Sequence, residues 1–307
     1  MTCHTHSLKV LAAHLLGLGA LVATPAYATT INNVLTVDGT ATTTTTNTFG
    51  PSTNDAYISG SASSGAFFSG NYADASAWGN AYGTYRAAAS GSGVFSSSSH
   101  FHRTVTLNNN NGYATDYTLN FFIYYGSLSA NNNGVAGTGY GSYDLVIKMN
   151  GVNTLFSSMA KVDSDGVLTR GGTELNGASL SGGNYSWGGT NVSLNLGSLG
   201  INQSLTIDFD LVSTAYGNFA TGTSCGGGYG NTDVPALMSA STGYGGSCTG
   251  SIYASLGDPN DFAENGQLNP PVNIIGNRSS TVPVPGTLAL LGAGLLGLGL
   301  NARRSRR

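Results

Sequence analysis

The chain has few charged residues: only 8% of its 307 residues are Asp, Glu, Lys or Arg, against about 25% in an average soluble domain. Low charge combined with 40% hydrophobic residues argues against intrinsic disorder, which needs low hydrophobicity and high net charge. Five of the 11 basic residues lie at the two ends, whereas all 14 acidic residues lie between them. The middle of the chain is therefore acidic and lacks the basic patch of a nucleic-acid-binding protein.

Cysteine is scarce as well, with three residues in the chain. Cys3 lies in the first segment, which is interpreted below as a signal peptide. The other two, Cys225 and Cys248, form an even pair, which in an exported protein predicts one disulfide closing the glycine-rich loop between them. Two free thiols are the alternative.

Several motifs of enzymes are absent from the middle of the chain. It contains no H-E-x-x-H metalloprotease motif, no P-loop and no dinucleotide-binding fingerprint. We therefore predict a non-enzymatic protein with no catalytic residue and no cofactor.

Two pairs of polar residues are candidates for a metal site or a catalytic site. His100 and His102 are two residues apart on a predicted strand, so their rings share one face. A zinc or copper site needs at least three protein ligands, and no third ligand is near in sequence, so we interpret the pair as part of an exposed sheet face and assign no metal. Asp208 and Asp210 alternate with apolar neighbours; paired carboxylates can hydrolyse glycosides, but solubilising charges are the simpler interpretation.

Apolar residues alternate with period two in many short segments, which is typical of half-buried strands. Examples are 117–125, 143–149, 192–196 and 205–211, and further candidates are 31–37, 101–107, 152–156 and 251–256. Clusters of Asn, Asp and Gly separate them as turns. We predict an all-β domain of antiparallel strands, a β-sandwich or jelly roll, flanked by an N-terminal signal helix and a C-terminal transmembrane helix.

The predicted boundaries divide the chain into four parts. Residues 1–28 are a signal peptide, and 29–256 form the exported β-rich domain, of which 29–100 has a less regular pattern. Residues 257–281 lack a strand pattern and are predicted to be a linker. Residues 282–307 are a sorting tail.

The N-terminal segment has the three parts of a secretory signal. Lys9 precedes an apolar stretch that is too short to span a membrane, and the small-residue site formed by Ala26 and Ala28 follows. We predict cleavage after Ala28, following export by the Sec machinery.

The C-terminal tail also has three parts in a fixed order. A proline-rich motif comes first, then the apolar run 288–300, and then a basic cluster. The motif is Val282, Pro283, Val284, Pro285, Gly286 and Thr287, and the cluster is Arg303, Arg304, Arg306 and Arg307. The arginines predict that the last residues stay cytoplasmic while the large domain lies outside.

This order resembles the PEP-CTERM sorting signal of Gram-negative bacteria, in which a Pro-Glu-Pro motif, a short transmembrane helix and an arginine cluster follow one another. Val284 stands where that family usually has glutamate. The resemblance implies transient insertion in the inner membrane, recognition by exosortase, a membrane protease-transpeptidase, and then a cell-surface or extracellular location. It also implies an association with exopolysaccharide or biofilm matrix.

The leading hypothesis from the sequence is thus an exported, non-enzymatic surface or matrix protein. A carbohydrate-binding module is the alternative, with Trp78 and Trp187 as the residues that would stack on sugar rings, although tryptophans can equally fill a sandwich core. A glycoside hydrolase and an ice-binding protein are weaker alternatives.

Overall fold

The structure is a computed structural model that describes residues 29–65, 70–81, 83–220, 249–257 and 272–278. No helix occurs in these ranges, so they contain no helix that could cross a membrane. The strands in them are β1 (Thr30–Thr42), β2 (Thr46–Asn54), β3 (Tyr57–Gly65), β4 (Tyr72–Asn80), β5 (Tyr85–Ser92), β6 (Val94–Asn108), β7 (Thr115–Ile123), β8 (Gly126–Asn131), β9 (Gly137–Met149), β10 (Asn153–Asp163), β11 (Leu168–Gly172), β12 (Ser179–Ser181), β13 (Asn184–Trp187), β14 (Thr190–Leu199), β15 (Ser204–Phe219), β16 (Ser251–Gly257) and β17 (Val272–Arg278).

The strands form three antiparallel sheets. Sheet A has the order β11-β10-β9-β15-β6-β1-β2, sheet B the order β12-β13-β8-β16-β5-β4-β3, and sheet C the order β14-β7-β17. The prediction of an all-β chain with antiparallel strands is confirmed. The segments with the clearest alternation in the sequence are the strands β7, β9, β14 and β15. Most of their large apolar residues point into the core or pack against it.

The core lies between sheets A and B, which pack face to face. At several points the two sheets approach closely, because one of them presents glycine or alanine where the other presents an aromatic ring. A Cβ atom on Gly79 of sheet B, for example, would lie 2.1 Å from Cε2 of Phe101 in sheet A. The Ser97 hydroxyl donates a hydrogen bond across the gap to the carbonyl oxygen of Ser90, at 3.0 Å.

Residues 29–100 are more regular than their sequence pattern suggested, and that prediction is corrected. The described residues of this range, 29–65, 70–81 and 83–100, lie mostly in β1 to β5 and the first half of β6. The inner face of β4 consists of Ala73, Ala75, Ala77 and Gly79, all buried. Its outward positions include Tyr72 and Trp78, which are larger than the buried alanines, so the buried face is hard to recognise by its period.

Within the predicted linker 257–281, the described residues Val272–Arg278 form the strand β17 at the edge of sheet C, so this part differs from the prediction. It pairs with β7, and Ile274 lies opposite Leu119. Backbone pairing with β7 and the packing of Ile274 against the core hold this strand in place. Gly276 lies over the ring of Tyr117, and a Cβ there would be 2.7 Å from that ring.

Sheet C packs on the inner face of sheet A. Phe121 of β7 makes edge-to-face contacts with Phe156 and Phe209, with ring centroids 5.7 and 5.9 Å apart. The predicted signal peptide with Ala26 and Ala28, the cysteines Cys225 and Cys248, and the C-terminal helix all lie outside the described residues.

Candidate functional site

Polar residues line the outer face of sheet A, opposite the core. In its central strands β1, β6 and β15, alternate residues are buried, and the residues between them face outward. The strand register places Asp38 beside His100 and His102 beside Asp210. Asp208 lies beside Thr104 in the next outward-facing row. Three strands that are far apart in sequence thus bring their polar side chains to one patch.

His100 is held between two carboxylates. Its Nε2 lies 2.5 Å from Asp210 Oδ1, and its Nδ1 lies 3.2 Å from Asp38 Oδ2. The side chains are 30% exposed for His100 and 47% exposed for Asp210. Because an ionised carboxylate can only accept hydrogen bonds, this arrangement suits a ring that carries a proton on both nitrogens.

The electrostatics agree with that arrangement. The hydrogen bond with Asp210 raises the pKa of His100, and burial of the ring opposes it in part. The same hydrogen bond lowers the pKa of Asp210. Burial raises the pKa of Asp144, on the neighbouring strand β9, and the charge of Asp210 raises it further. Both shifts of the His100–Asp210 pair favour the charged forms of the two side chains.

His102 belongs to a second hydrogen-bonded chain on the same face. Thr104 donates its hydroxyl proton to Asp208 Oδ1 at 2.8 Å. The hydroxyl oxygen is then an acceptor for His102 Nε2, which lies 3.1 Å away. The rings of His102 and His100 are neighbours, with centroids 6.1 Å apart.

Three side chains of this patch could hold a metal ion together. One ligand atom from each of His100, His102 and Asp210 lies within 4.8 Å of the other two. Two imidazoles and a carboxylate are a ligand set of zinc and of several other divalent transition metals. The sequence predicted the shared face of the two histidines, and the structure agrees. The sequence did not indicate that Asp210 is the third ligand.

Asp210 was missed because it is 110 residues away from His100 in sequence. The alternation along β15 indicated that Asp208 and Asp210 face outward, as they do in the structure. The sequence did not indicate that β15 is the neighbour of β6, and only that pairing joins the two polar pairs into one patch.

The two tryptophans lie in different surroundings. Trp187 is 3% exposed, its ring contacts Tyr143 and Tyr185, and its Nε1 donates to the carbonyl oxygen of Tyr124 at 3.3 Å. It is a core residue and offers no face for a sugar, which corrects its selection as a stacking residue. Trp78 is half-buried and faces outward on β4.

The C-terminal tail is the part of the chain that a family model matches. Residues 281–307 match the family model of the PEP-CTERM protein-sorting motif. The chain ends in the sorting signal of exosortase substrates. This PEP-CTERM signal confirms the resemblance seen in the proline motif, the apolar run and the arginine cluster, and it marks a protein that is exported and sorted to the cell surface or the extracellular space. No curated protein matches the chain, and the motif covers none of the residues of the patch on sheet A.

Proposed function

We propose that the chain is a non-enzymatic protein of the cell surface or extracellular matrix that associates with exopolysaccharide in a biofilm. The PEP-CTERM motif at 281–307 is the observation that carries the proposal. In this proposal the apolar run 288–300 inserts transiently in the inner membrane after Sec-dependent export. Exosortase then removes it, and the β-sandwich is released or attached outside.

The geometry of the polar patch supports a role without catalysis. Both ring nitrogens of His100 are engaged by carboxylates, so neither is left to accept a proton from a nucleophile. Asp208 and Asp210 lie on the face of a sheet, and each is hydrogen-bonded to a neighbouring side chain. A glycosidase instead needs two carboxyl groups on either side of a bound sugar.

The sorting step can be tested in a Gram-negative host that exports the protein, with and without exosortase. We expect a shorter form in the surface or medium fraction of the host with exosortase, and the longer form in the membrane fraction of the host without it. Identical size and location in both hosts would refute the sorting part of the proposal.

The proline motif offers a matched pair of variants for that experiment. Val284→Glu restores the residue that the family usually has, so we expect a larger processed fraction. Val282→Glu introduces the same charge two residues earlier, outside the Pro-x-Pro centre, and we expect no such gain. Equal effects of both substitutions would show that the position of the glutamate is unimportant.

Carbohydrate binding is the second candidate function, and the position of Trp78 favours it. Trp78 pairs with Ser59 of β3, which places it diagonal to Tyr57 on the same outer face of sheet B. Tyr57 is 41% exposed, and diagonal neighbours are close enough for aromatic side chains to share one surface. Two amphipathic rings on a flat, serine-rich face are suited to stacking on sugars.

Binding to purified exopolysaccharide and to a glycan array would test this second function. We expect Trp78→Ala to abolish binding and Tyr216→Ala, at an exposed tyrosine on β15 of sheet A, to leave it unchanged. Binding that survives Trp78→Ala would exclude the stacking surface.

A further inference from the structure

We propose that His100, His102 and Asp210 bind one divalent transition-metal ion of the zinc class on the outer face of sheet A. This function goes beyond sorting, because the PEP-CTERM motif assigns nothing to the folded domain. It rests on the side chains themselves and does not depend on exosortase processing.

The ligand atoms are already near the required spacing. Tetrahedral zinc sites have metal–ligand distances of about 2.0–2.1 Å, which puts neighbouring ligand atoms roughly 3.4 Å apart. In the protein the three atoms lie within 4.8 Å of one another, so small rotations of the side chains suffice. The ion takes the place of the proton between His100 Nε2 and Asp210 Oδ1, and that proton goes to solvent.

The backbone below the site is rigid. His102 and Asp210 are direct partners in the long antiparallel pair of β6 and β15. Both strands lie inside sheet A, with neighbours on either side, so the backbone positions of the ligands are fixed by two ladders of hydrogen bonds. Ligands on sheet strands are held more precisely than ligands on loops.

Asp38 supplies the support that metal-binding histidines usually have. A ligating imidazole nearly always donates its other N–H to a carboxylate, carbonyl or water, which fixes the tautomer and the orientation of the ring. Asp38 Oδ2, 3.2 Å from His100 Nδ1, is such an acceptor, and it leaves Nε2 for the metal. Thr104 and Asp208 provide a similar hydrogen-bonded chain beside His102.

The donor types select the class of metal. Two nitrogen ligands and one oxygen ligand suit Zn²⁺, Cu²⁺, Ni²⁺ or Co²⁺, whereas Ca²⁺ and Mg²⁺ prefer all-oxygen sites. The carboxylates of Asp38 and Asp208 add negative charge around the ion. Since Asp210 is about half exposed, the remaining coordination position faces solvent and takes a water molecule.

Zinc binding to the full chain, purified without a histidine tag, would test the proposal by calorimetry. Three further histidines, His4, His6 and His14, lie in the N-terminal segment. All measurements therefore use a chain in which these three are replaced by glutamine. We expect one Zn²⁺ per chain and no comparable binding of Mg²⁺.

Single substitutions separate the site from general adsorption to carboxylates. His102→Gln and Asp210→Asn remove a ligand, and we expect each to weaken binding by at least the roughly 10–100-fold that is typical for loss of an outer-shell partner. Asp38→Ala removes the acceptor at Nδ1 and should weaken binding by about tenfold. Asp165→Asn, at an exposed turn, removes the same charge and should change nothing. Equal affinities of the His102→Gln and Asp165→Asn variants would overturn the proposal.

Nuclear magnetic resonance of the histidine rings gives a second measurement that needs no substitution in the site. With the three N-terminal histidines replaced, only His100 and His102 contribute ring ¹⁵N signals. We expect the signals of both rings to move together as Zn²⁺ is added, up to one equivalent. Unchanged ring signals at saturating Zn²⁺ would refute the site even if an ion binds elsewhere on the chain.

Discussion

Asn109 is the residue whose replacement should reveal most about how the loops of this fold are fixed. It follows β6 and is completely buried. Its Nδ2 donates to the carbonyl oxygens of Leu199 and Tyr113 at 2.8 and 3.1 Å. Its Oδ1 accepts from the hydroxyl of Tyr117 at 3.2 Å and from the backbone N–H of Asn111 at 3.1 Å. One side chain therefore ties its own loop to the end of β14 and to β7.

The substitution Asn109→Ala removes at least these four hydrogen bonds. Each is worth about 1 kcal/mol net, and a buried partner left unpaired costs about 1–3 kcal/mol. We therefore expect the free energy of unfolding to fall by about 4 kcal/mol, a large share of the roughly 5–15 kcal/mol of a typical domain. The neighbouring Asn110→Ala is the control, because it loses only an exposed hydrogen bond to Thr30 Oγ1, of 3.1 Å.

Urea unfolding followed by tryptophan fluorescence would measure the stability of both variants. Trp187 is buried in the core, so its fluorescence changes when unfolding exposes it to water. With a slope of about 2 kcal/mol per molar urea, the midpoint of Asn109→Ala should lie roughly 2 M below that of the wild type. Asn110→Ala should remain within about 1 kcal/mol of the wild type. If both variants lost the same small amount, the reasoning that Asn109 organises the loops would be wrong.

Three further predictions concern the core and its polar groups. Gly79→Ala places a methyl group against the buried ring of Phe101, and we expect a loss of about 2–3 kcal/mol, measurable as a lower midpoint of thermal unfolding. Burial raises the pKa of Tyr143 from 10.0 to about 12, so between these values the unfolded chain releases a proton that the folded chain keeps. The free energy of unfolding should fall by about 1.4 kcal/mol per pH unit there, and Tyr143→Phe should make the decline shallower in urea titrations at pH 9 to 12. Asn33→Ala removes an acceptor of the buried Arg103 guanidinium, because Asn33 Oδ1 lies 2.6 Å from Arg103 Nη2. We expect the free energy of unfolding in urea to fall by about 1.5–3 kcal/mol. A fall below about 0.5 kcal/mol, as for a surface substitution, would contradict this reasoning.

Much of the strand arrangement could be predicted because the residues of this chain alternate strongly. In β7, β9 and β15 most of the buried positions are large apolar residues and most of the outward ones are polar, so the period of two was visible. The same rule failed in β4, where the inward residues are alanines and glycine while the large rings of Tyr72 and Trp78 lie on the outward face. It also failed in β17, an edge strand of seven residues in which Ile274 and Ile275 are adjacent and show no alternation.

The turn at 108–112 could likewise be predicted only in part. A run of asparagines before a glycine indicated a turn, and the structure has one between β6 and β7. Nothing in the sequence distinguishes Asn109 from Asn110, because both are polar residues in a loop. Their difference in burial depends on the end of β14, about 90 residues further along the chain.

The sequence by itself determined where the protein goes. Sorting signals are read as linear segments, so the proline motif, the apolar run and the arginines are recognisable without a fold. Tertiary structure alone decided which polar residues meet on the outer face of sheet A. The pairing of β6 with β15 is set by the backbone hydrogen-bond ladder and by the need to bury both inner faces together. That register brings His100, His102 and Asp210 together. The packing of sheets A and B buries Trp187 against Tyr143, and the sequence could not distinguish this tryptophan from a surface residue.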